Sequence, residues 1–385
     1  MIATAMKIRE VRTHLLRHTL PEAEVFGSSK GWHTVRQALI VEVVTDEGLS
    51  GFGEAYGPAA PSRTLVDELY APRVVGRDPL ESAVIWEDLY GTFRDYGRKG
   101  WAVAALSTID IALWDLKGRI LGRPVAVLLG GAFRTEVRAY ATGLYRRPGE
   151  DNARALAREA EGYAAEGFRA MKMKVGFGVE EDVRNVRAVR AAIGPDRALA
   201  IDANHAYDVG QALRLARRVA DQDIAWFEEP VVPEDVDGYC QVRAAAPMPV
   251  AGGEAEYTRW GFRDLCARRA VDILQPDLCA CGGFTEALRI AALASAHGLT
   301  VYPHVWGTAV GLFASLHLAA ALPPNPPAMV PAEVLFELDR TPNPLRDHLA
   351  RNPLERRGDV LTLPEGPGLG LEVDRTVLER YRVAG

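Results

Sequence analysis

The amino-acid sequence predicts an α/β protein: a parallel barrel of alternating strands and helices, preceded by an α+β domain. Three observations predict it. From about residue 135 onward, short apolar runs alternate repeatedly with amphipathic stretches of helical period. The first third lacks that alternation and reads as strands followed by helices. Polar residues recur at the ends of successive barrel strands, where such barrels carry their chemistry.

Taken in order, Lys7 to Leu16 and Val35 to Thr45 are rich in branched residues and alternate in polarity, which predicts strands. Asp46-Glu47-Gly48 supplies a turn, and Leu49 to Tyr56 returns as a hairpin partner. Helical patterns follow over Arg63 to Val74, Pro79 to Phe93 and Val103 to Leu121, the last stopped by Gly122 with Pro124 beyond it. Leu128-Leu129-Gly130-Gly131 marks the domain boundary. Eight strands are then expected: Val137 to Thr142, Ala170 to Val175, Ala198 to Ala203, Ala225 to Glu228, Val250 to Glu254, Asp272 to Gln275, Thr300 to Tyr302 and Val334 to Leu338. Helix patterns such as Glu181 to Ile193, Gly210 to Ala220, Thr258 to Arg268 and Thr285 to His297 lie between them. The division is residues 1–134, 135–338 and an irregular tail, 339–385, rich in Pro and Gly over Leu363 to Gly370 and expected to fold back over the first domain.

The 385 residues are 48% hydrophobic and 25% charged, with a formal net charge of −6, so nothing invites nucleic acid or an anionic membrane. The start, Met1 to Lys7, lacks the pattern of a signal peptide, and Ala309 to Leu322 reads as a buried helix too short to span a bilayer. Four cysteines in so long a chain argue for a reducing cytoplasm, and the Cys279–Cys281 pair has no second pair to complete a zinc site.

Asp202, Glu228 and Glu254 end three consecutive strands, each 26 residues after the last. Three acids at one level on neighbouring strands converge, and uncompensated they repel each other and take up protons. A hard divalent cation resolves the conflict, and magnesium suits an oxygen-lined site. Lys172 and Lys174 share one face of the strand before Asp202, where each ammonium and a metal lower the other's pKa, so that one lysine can serve as a base. Beyond Glu254, Asp277 and His304 end adjacent strands as an orienting pair, and Glu337 closes the ring.

With the stretch Ser107-Thr108-Ile109-Asp110-Ile111-Ala112-Leu113-Trp114-Asp115-Leu116-Lys117-Gly118 and the following Leu128 to Gly131, these residues make the chain resemble the mandelate racemase subgroup of the enolase superfamily along essentially its whole length. The resemblance implies an α+β capping domain over a modified (β/α)7β TIM barrel, with Mg²⁺ on Asp202, Glu228 and Glu254. It implies Lys174 as a proton-transferring base, Lys172 as a holder of the substrate carboxylate, His304 supported by Asp277 as acid or base on the opposite face, and Glu337 as a substrate contact. Glu229 beside the ligand is a weaker candidate, Asn204 contacts substrate or orients a ligand, and His205 is left outside the site. Specificity falls to two cap loops, about His18 to His33 and Tyr56 to Pro61, where Trp32, His33, Arg17 and Tyr56 are candidates. The partners implied are a small carboxylate substrate and further copies of the chain, with octamers common in the family.

An α proton beside a carboxylate is weakly acidic, because its removal leaves two negative charges on one small group. Mg²⁺ and Lys172 would offset that charge in the enediolate, and a protonated Glu337 would donate a hydrogen bond. The leading expectation is dehydration of an acid sugar to a 2-keto-3-deoxy acid. Racemisation or epimerisation of a 2-hydroxy acid is the alternative, and a catalytically silent protein that binds Mg²⁺ and a carboxylate is the third.

Overall fold

A computed structural model of the protein describes residues 6–330 and 332–383. Residues 1–5, on which the reading of the chain's start partly rests, lie outside the described residues.

The long alternating strands β1 (Ile8–Thr19), β4 (Val35–Thr45) and β5 (Ser50–Ala55) form an antiparallel meander in the order β1-β4-β5. Between the first two, β2 (Phe26–Ser28) and β3 (Gly31–His33) make a short hairpin. The helices that follow are α1 (Ala59–Leu65), α2 (Ala71–Val74), α3 (Ser82–Phe93), α4 (Trp101–Leu121) and α5 (Val125–Leu128). A π-helical turn over Val66–Tyr70 replaces the middle of the single helix expected from Arg63 to Val74. Helix α4 lies against β5 at backbone contact: a Cβ on Gly53 would sit 1.9 Å from the carbonyl oxygen of Thr108, so only glycine allows the approach. The helix ends where Gly122 turns left-handed at φ 62°.

Seven strand–helix units then follow: β6 (Glu136–Thr142), α6 (Asn152–Ala165), β7 (Ala170–Lys174), α7 (Val179–Ile193), β8 (Ala198–Asp202), α8 (Val209–Arg218), β9 (Ile224–Glu228), α9 (Val236–Ala245), β10 (Val250–Gly252), α10 (Thr258–Ala267), β11 (Ile273–Leu274), α11 (Gly283–Ala296), β12 (Thr300–Val301) and α12 (Ala309–Ala321). The eighth strand, β13 (Phe336–Asp339), pairs in parallel with β6 and returns the succession to its start. This is the (β/α)7β arrangement. Alternation along the strands divides the interior into two layers. Tyr140, Ala170, Ala200, Trp226, Ala251 and Ile273 pack as an apolar plug, large against small. Two residues further along, Thr142, Lys172, Asp202, Glu228 and Gln275 form a polar layer at the C-terminal ends.

The tail carries α13 (Pro344–Asp347), the antiparallel pair β14 (Arg356–Arg357) and β15 (Val360–Thr362), and α14 (Arg375–Tyr381). It returns to the cap as expected. Leu369 donates its N–H to Asp115 of α4, and Arg375 pairs with buried Glu42 of β4. Cap carboxylates in turn finish barrel helices. Glu54 accepts from the N–H and hydroxyl of Thr308 and from Gly311 N–H at the start of α12. Asp110 accepts from the N–H and hydroxyl of Thr285 at the start of α11. Among the described residues no helix is long and apolar enough to cross a membrane.

Candidate active site

Parallel pairing sets the acids side by side: Lys174 is level with Asp202, and Asp202 with Glu228. One carboxylate oxygen from each of Asp202, Glu228 and Glu254 lies within 4.8 Å of the others, all three side chains being buried. Of the two adjacent glutamates, Glu228 is the one that joins this triad. Glu229, at a left-handed φ of 44°, meets Nε2 of His205 at 3.0 Å and the amide of Asn204 at 3.4 Å. Among the described residues the buried Glu254 Oε2 atom makes no hydrogen bond, its nearest charged neighbour being His304 Nε2 at 3.3 Å, and three carboxylates converging on one point are a donor set that fits a hard divalent ion.

Two buried lysines face the acids. Lys172 pairs with Glu228 and lies 2.8 Å from Glu337 and 3.7 Å from Asp202, while Lys174 pairs with Asp202. Burial works to discharge both lysines, but Glu228 and Glu337 around the first and Asp202 beside the second hold them above the ordinary value. In the protein alone, then, the neighbouring carboxylates outweigh the mutual repulsion of the lysines expected from sequence. Burial also opposes the charge on Asp202, yet Lys174 and Lys172 hold it well down.

On the other side His304 Nδ1 is 2.6 Å from Asp277, and its Nε2 is 3.3 Å from Glu254 and 3.9 Å from Glu337. Burial would lower the imidazole, but Glu254, Glu337 and Asp277 together push it up to about 10, so the ring carries a proton at neutral pH. Glu337 accepts from Thr142 Oγ1 at 2.5 Å and from Val305 N–H at 3.0 Å. Burial favours its neutral form, but Lys172 and His304 hold it below the ordinary value. In the protein alone it therefore stands as an acceptor from Thr142 and Val305.

Of the cap-loop candidates, Tyr56 reaches the site, its ring 5.3 Å from that of His304. Trp32 does not join it. Alternation along β3 sends His33 inward onto Phe26, 4.9 Å away, and leaves Trp32 half exposed, its ring against Gly27. Sequence reasoning missed Gln275 and Trp226, which donate to Glu228 at 2.6 Å and 3.0 Å, and Thr142, which holds Glu337. The available signal was a polar group inside a predicted buried strand. It also missed Lys30, whose Nζ lies 3.9 Å from Glu254. The hairpin tip beside it is fastened to the barrel by Ser29, whose hydroxyl donates to the carbonyl of Ala203 at 2.8 Å.

Comparison with known proteins identifies the family. Residues 20–130 match the family "Mandelate racemase / muconate lactonizing enzyme, N-terminal domain", and residues 155–377 match "Enolase C-terminal domain-like". The chain is 49% identical to the D-galactarolactone cycloisomerase of Agrobacterium fabrum over 98% of this chain and 99% of that one. It is 34% identical to the arabinonate dehydratase of Saccharolobus solfataricus over 90% and 91% of the two chains. A racemase from Streptomyces coelicolor A3(2), solved with bound magnesium, superposes with a TM-score of 0.87 at 29% identity, covering 98% of this chain and all of the other. The chain belongs to the enolase superfamily, in its mandelate racemase subgroup.

Proposed function

We propose that the protein is a magnesium-dependent enzyme that takes the α proton from an acid sugar and expels the β oxygen. The observation that carries this reading is a buried acid triad with Lys174 on one side and the His304–Asp277 pair on the other. Asp202, Glu228 and Glu254 would hold the ion. Bound Mg²⁺ supplies a Lewis acid that stabilises the charge developing on the substrate carboxylate as the proton leaves. Lys174, beside Asp202, is the residue placed to take the α proton, and an ion held by Asp202 would weaken the carboxylate's hold on the lysine's charge. Lys172 adds positive charge beside the enediolate, and Glu337 holds Lys172 at 2.8 Å. His304, steered by Asp277 at 2.6 Å, would give its proton to the departing oxygen.

Dehydration and cycloisomerisation are one elimination in this site. The Cα–H bond breaks, Cα=Cβ forms and Cβ–O breaks. A leaving hydroxyl departs as water, whereas a ring oxygen stays attached and the product is an isomer. Both enols tautomerise to 2-keto-3-deoxy acids. The relatives include enzymes named for each outcome, with the cycloisomerase the more similar of the two just described.

Proton NMR in D₂O with Mg²⁺, over aldonates, aldarates and their lactones, tests the proposal. A 2-keto-3-deoxy product from a lactone with no loss of water assigns cycloisomerisation, and the same product with loss of water assigns dehydration. Deuterium at the α carbon with the C–O bond intact replaces both with racemisation or epimerisation. Absence of both product and exchange across the set overturns the reading.

A further inference from the structure

Glu54 and Tyr56 are alternate residues at the end of β5, and from the cap they hold both halves of the His304–Asp277 pair. On the His304 side, the Glu54 carboxylate accepts from the N–H of Thr308 at 2.8 Å, from its hydroxyl at 2.6 Å and from the N–H of Gly311 at 2.7 Å. Thr308 lies four residues after His304. On the Asp277 side, Tyr56 N–H donates to the carbonyl of Cys279 at 3.0 Å, and the N–H of Cys279 donates to Asp277 Oδ1 at 2.7 Å. The barrel ladder gives this pair little support of its own. β11 and β12 are two residues long and each stops three residues short of it, so that a single bridge between Asp277 and His304 continues the pairing.

Helix capping alone does not account for Glu54. Thr308 already caps α12 locally, its hydroxyl accepting from Val310 N–H at 3.1 Å. A second cap brought from another domain buries a carboxylate, and all three of its donors are neutral. Two glycines make the room for it: a Cβ on Gly307 would lie 2.4 Å from Glu54 Oε1, and one on Gly311 2.9 Å from Oε2. Burial outweighs the three donors and, with Asp277 nearby, pushes the Glu54 carboxyl up to about 7. Holding the carboxylate there costs stability, at a place that adjoins the reacting pair. Asp110 is the contrast. Helix α11 begins at Gly282 with no side-chain cap of its own, so Asp110 supplies what that helix lacks, at Thr285, eight residues after Asp277.

We propose that Glu54 is a positioning residue for His304: from the cap it fixes Thr308, and through Thr308 the turn that carries the imidazole, while the backbone of Tyr56 fixes the Asp277 side. This rests on the elimination described above. It adds that the cap sets the acid that expels the β oxygen, and that Lys174 removes the α proton independently of it.

Comparison of Glu54→Gln with Asp110→Asn, each in the full-length Mg²⁺-loaded protein, tests it. Each variant keeps the shape of the side chain and removes one acceptor from a buried helix start, so a merely structural role predicts like effects from both. The Nδ1–H proton of His304, bonded to Asp277 at 2.6 Å, is followed by NMR of ¹⁵N-histidine-labelled protein and assigned by its absence in His304→Asn. The expected result is that Glu54→Gln shifts or broadens this signal and Asp110→Asn leaves it in place. In turnover, Glu54→Gln should lower formation of the 2-keto-3-deoxy product about 10²-fold, the scale of a misplaced reacting group, with KM near its original value. It should also raise α-deuterium exchange per product formed. Thr308→Val, which removes one bond and leaves Glu54 in place, should move the same signal, and Thr308→Ser should restore it. A signal unmoved by Glu54→Gln (or, should that variant not fold, by Thr308→Val), or moved equally by Asp110→Asn, overturns the inference. The two readings fail separately. Turnover of acid sugars with an unmoved His304 signal keeps the elimination and reduces Glu54 to a helix cap. A moved signal without any turnover or α-proton exchange in the unmutated enzyme keeps the positioning and removes the elimination.

Discussion

Lys174 and Asp202 share a register position on neighbouring strands, and that pairing sets the first test at the residue scale. Lys174→Met is expected to reduce α-proton exchange by about 10²–10⁴-fold, the usual contribution of a positioned base. Mg²⁺ binding, read by calorimetry, should persist, because the triad oxygens are untouched; loss of metal binding would make Lys174 a structural counter-charge instead. Gln275→Leu should act in the opposite sense. It removes the 2.6 Å hydrogen bond that orients Glu228, and Mg²⁺ affinity should fall roughly 10–100-fold, as for other partners of metal ligands. The three acids and His304 were legible in sequence because each is an ionisable residue at or just beyond the end of an apolar run. Gln275 and Thr142 close the expected strands Asp272 to Gln275 and Val137 to Thr142 at the same level, but were not singled out, since a neutral polar side chain declares no charged partner. Trp32 and His33 were both named, and which of the two faces inward is a matter of one position of alternation that a three-residue strand does not reveal in sequence.

At the scale of elements, α12 is tied to two others through His317. Its Nδ1 accepts from the N–H of Ala126 in α5, and its Nε2–H donates to the carbonyl of Leu369 in the tail. The first bond needs the neutral ring, since a protonated Nδ1 cannot accept, and burial lowers the imidazole from 6.5 to about 4. Between those two pH values the unfolded chain binds the extra proton. Stability is therefore full above the upper value and falls as pH drops toward the lower one, by about 3 kcal/mol over the window. Denaturant midpoints measured across that range should show the slope, and His317→Gln should flatten it while lowering stability at neutral pH. The long elements were readable: the predicted bounds of Val35 to Thr45 coincide with β4, and the barrel strands fall within two residues of expectation at each end. The β2–β3 hairpin was read as loop. Its strands have three residues each around a Ser29-Lys30 turn, and what holds it to the barrel is a backbone bridge from Gly27 to Arg146 and the bond from Ser29 to Ala203, 174 residues away. No local pattern encodes such a contact.

For the whole molecule, two measurements follow from how the parts close on one another. Mg²⁺ at about 100 times its dissociation constant should stabilise the fold by roughly 2.7 kcal/mol through linkage alone, visible as a rise in Tm that Asp202→Asn abolishes. Removing residues 343–385 strips Leu361, Leu363, Leu369, Leu371, Val377 and Leu378 from the core. Each is worth roughly 1.5–3 kcal/mol, against a typical total on the order of 5–15 kcal/mol. The truncated chain should show no cooperative melting transition by circular dichroism. The seam between cap and barrel has a further consequence, in time rather than in energy. Glu54 and Asp110 leave the ribosome some 170 to 260 residues before the helix ends they complete. During synthesis the nascent cap therefore presents two carboxylates that wait in water for sockets not yet made. Each is buried only when the last third of the chain arrives, so docking of the cap reports that translation has reached α12.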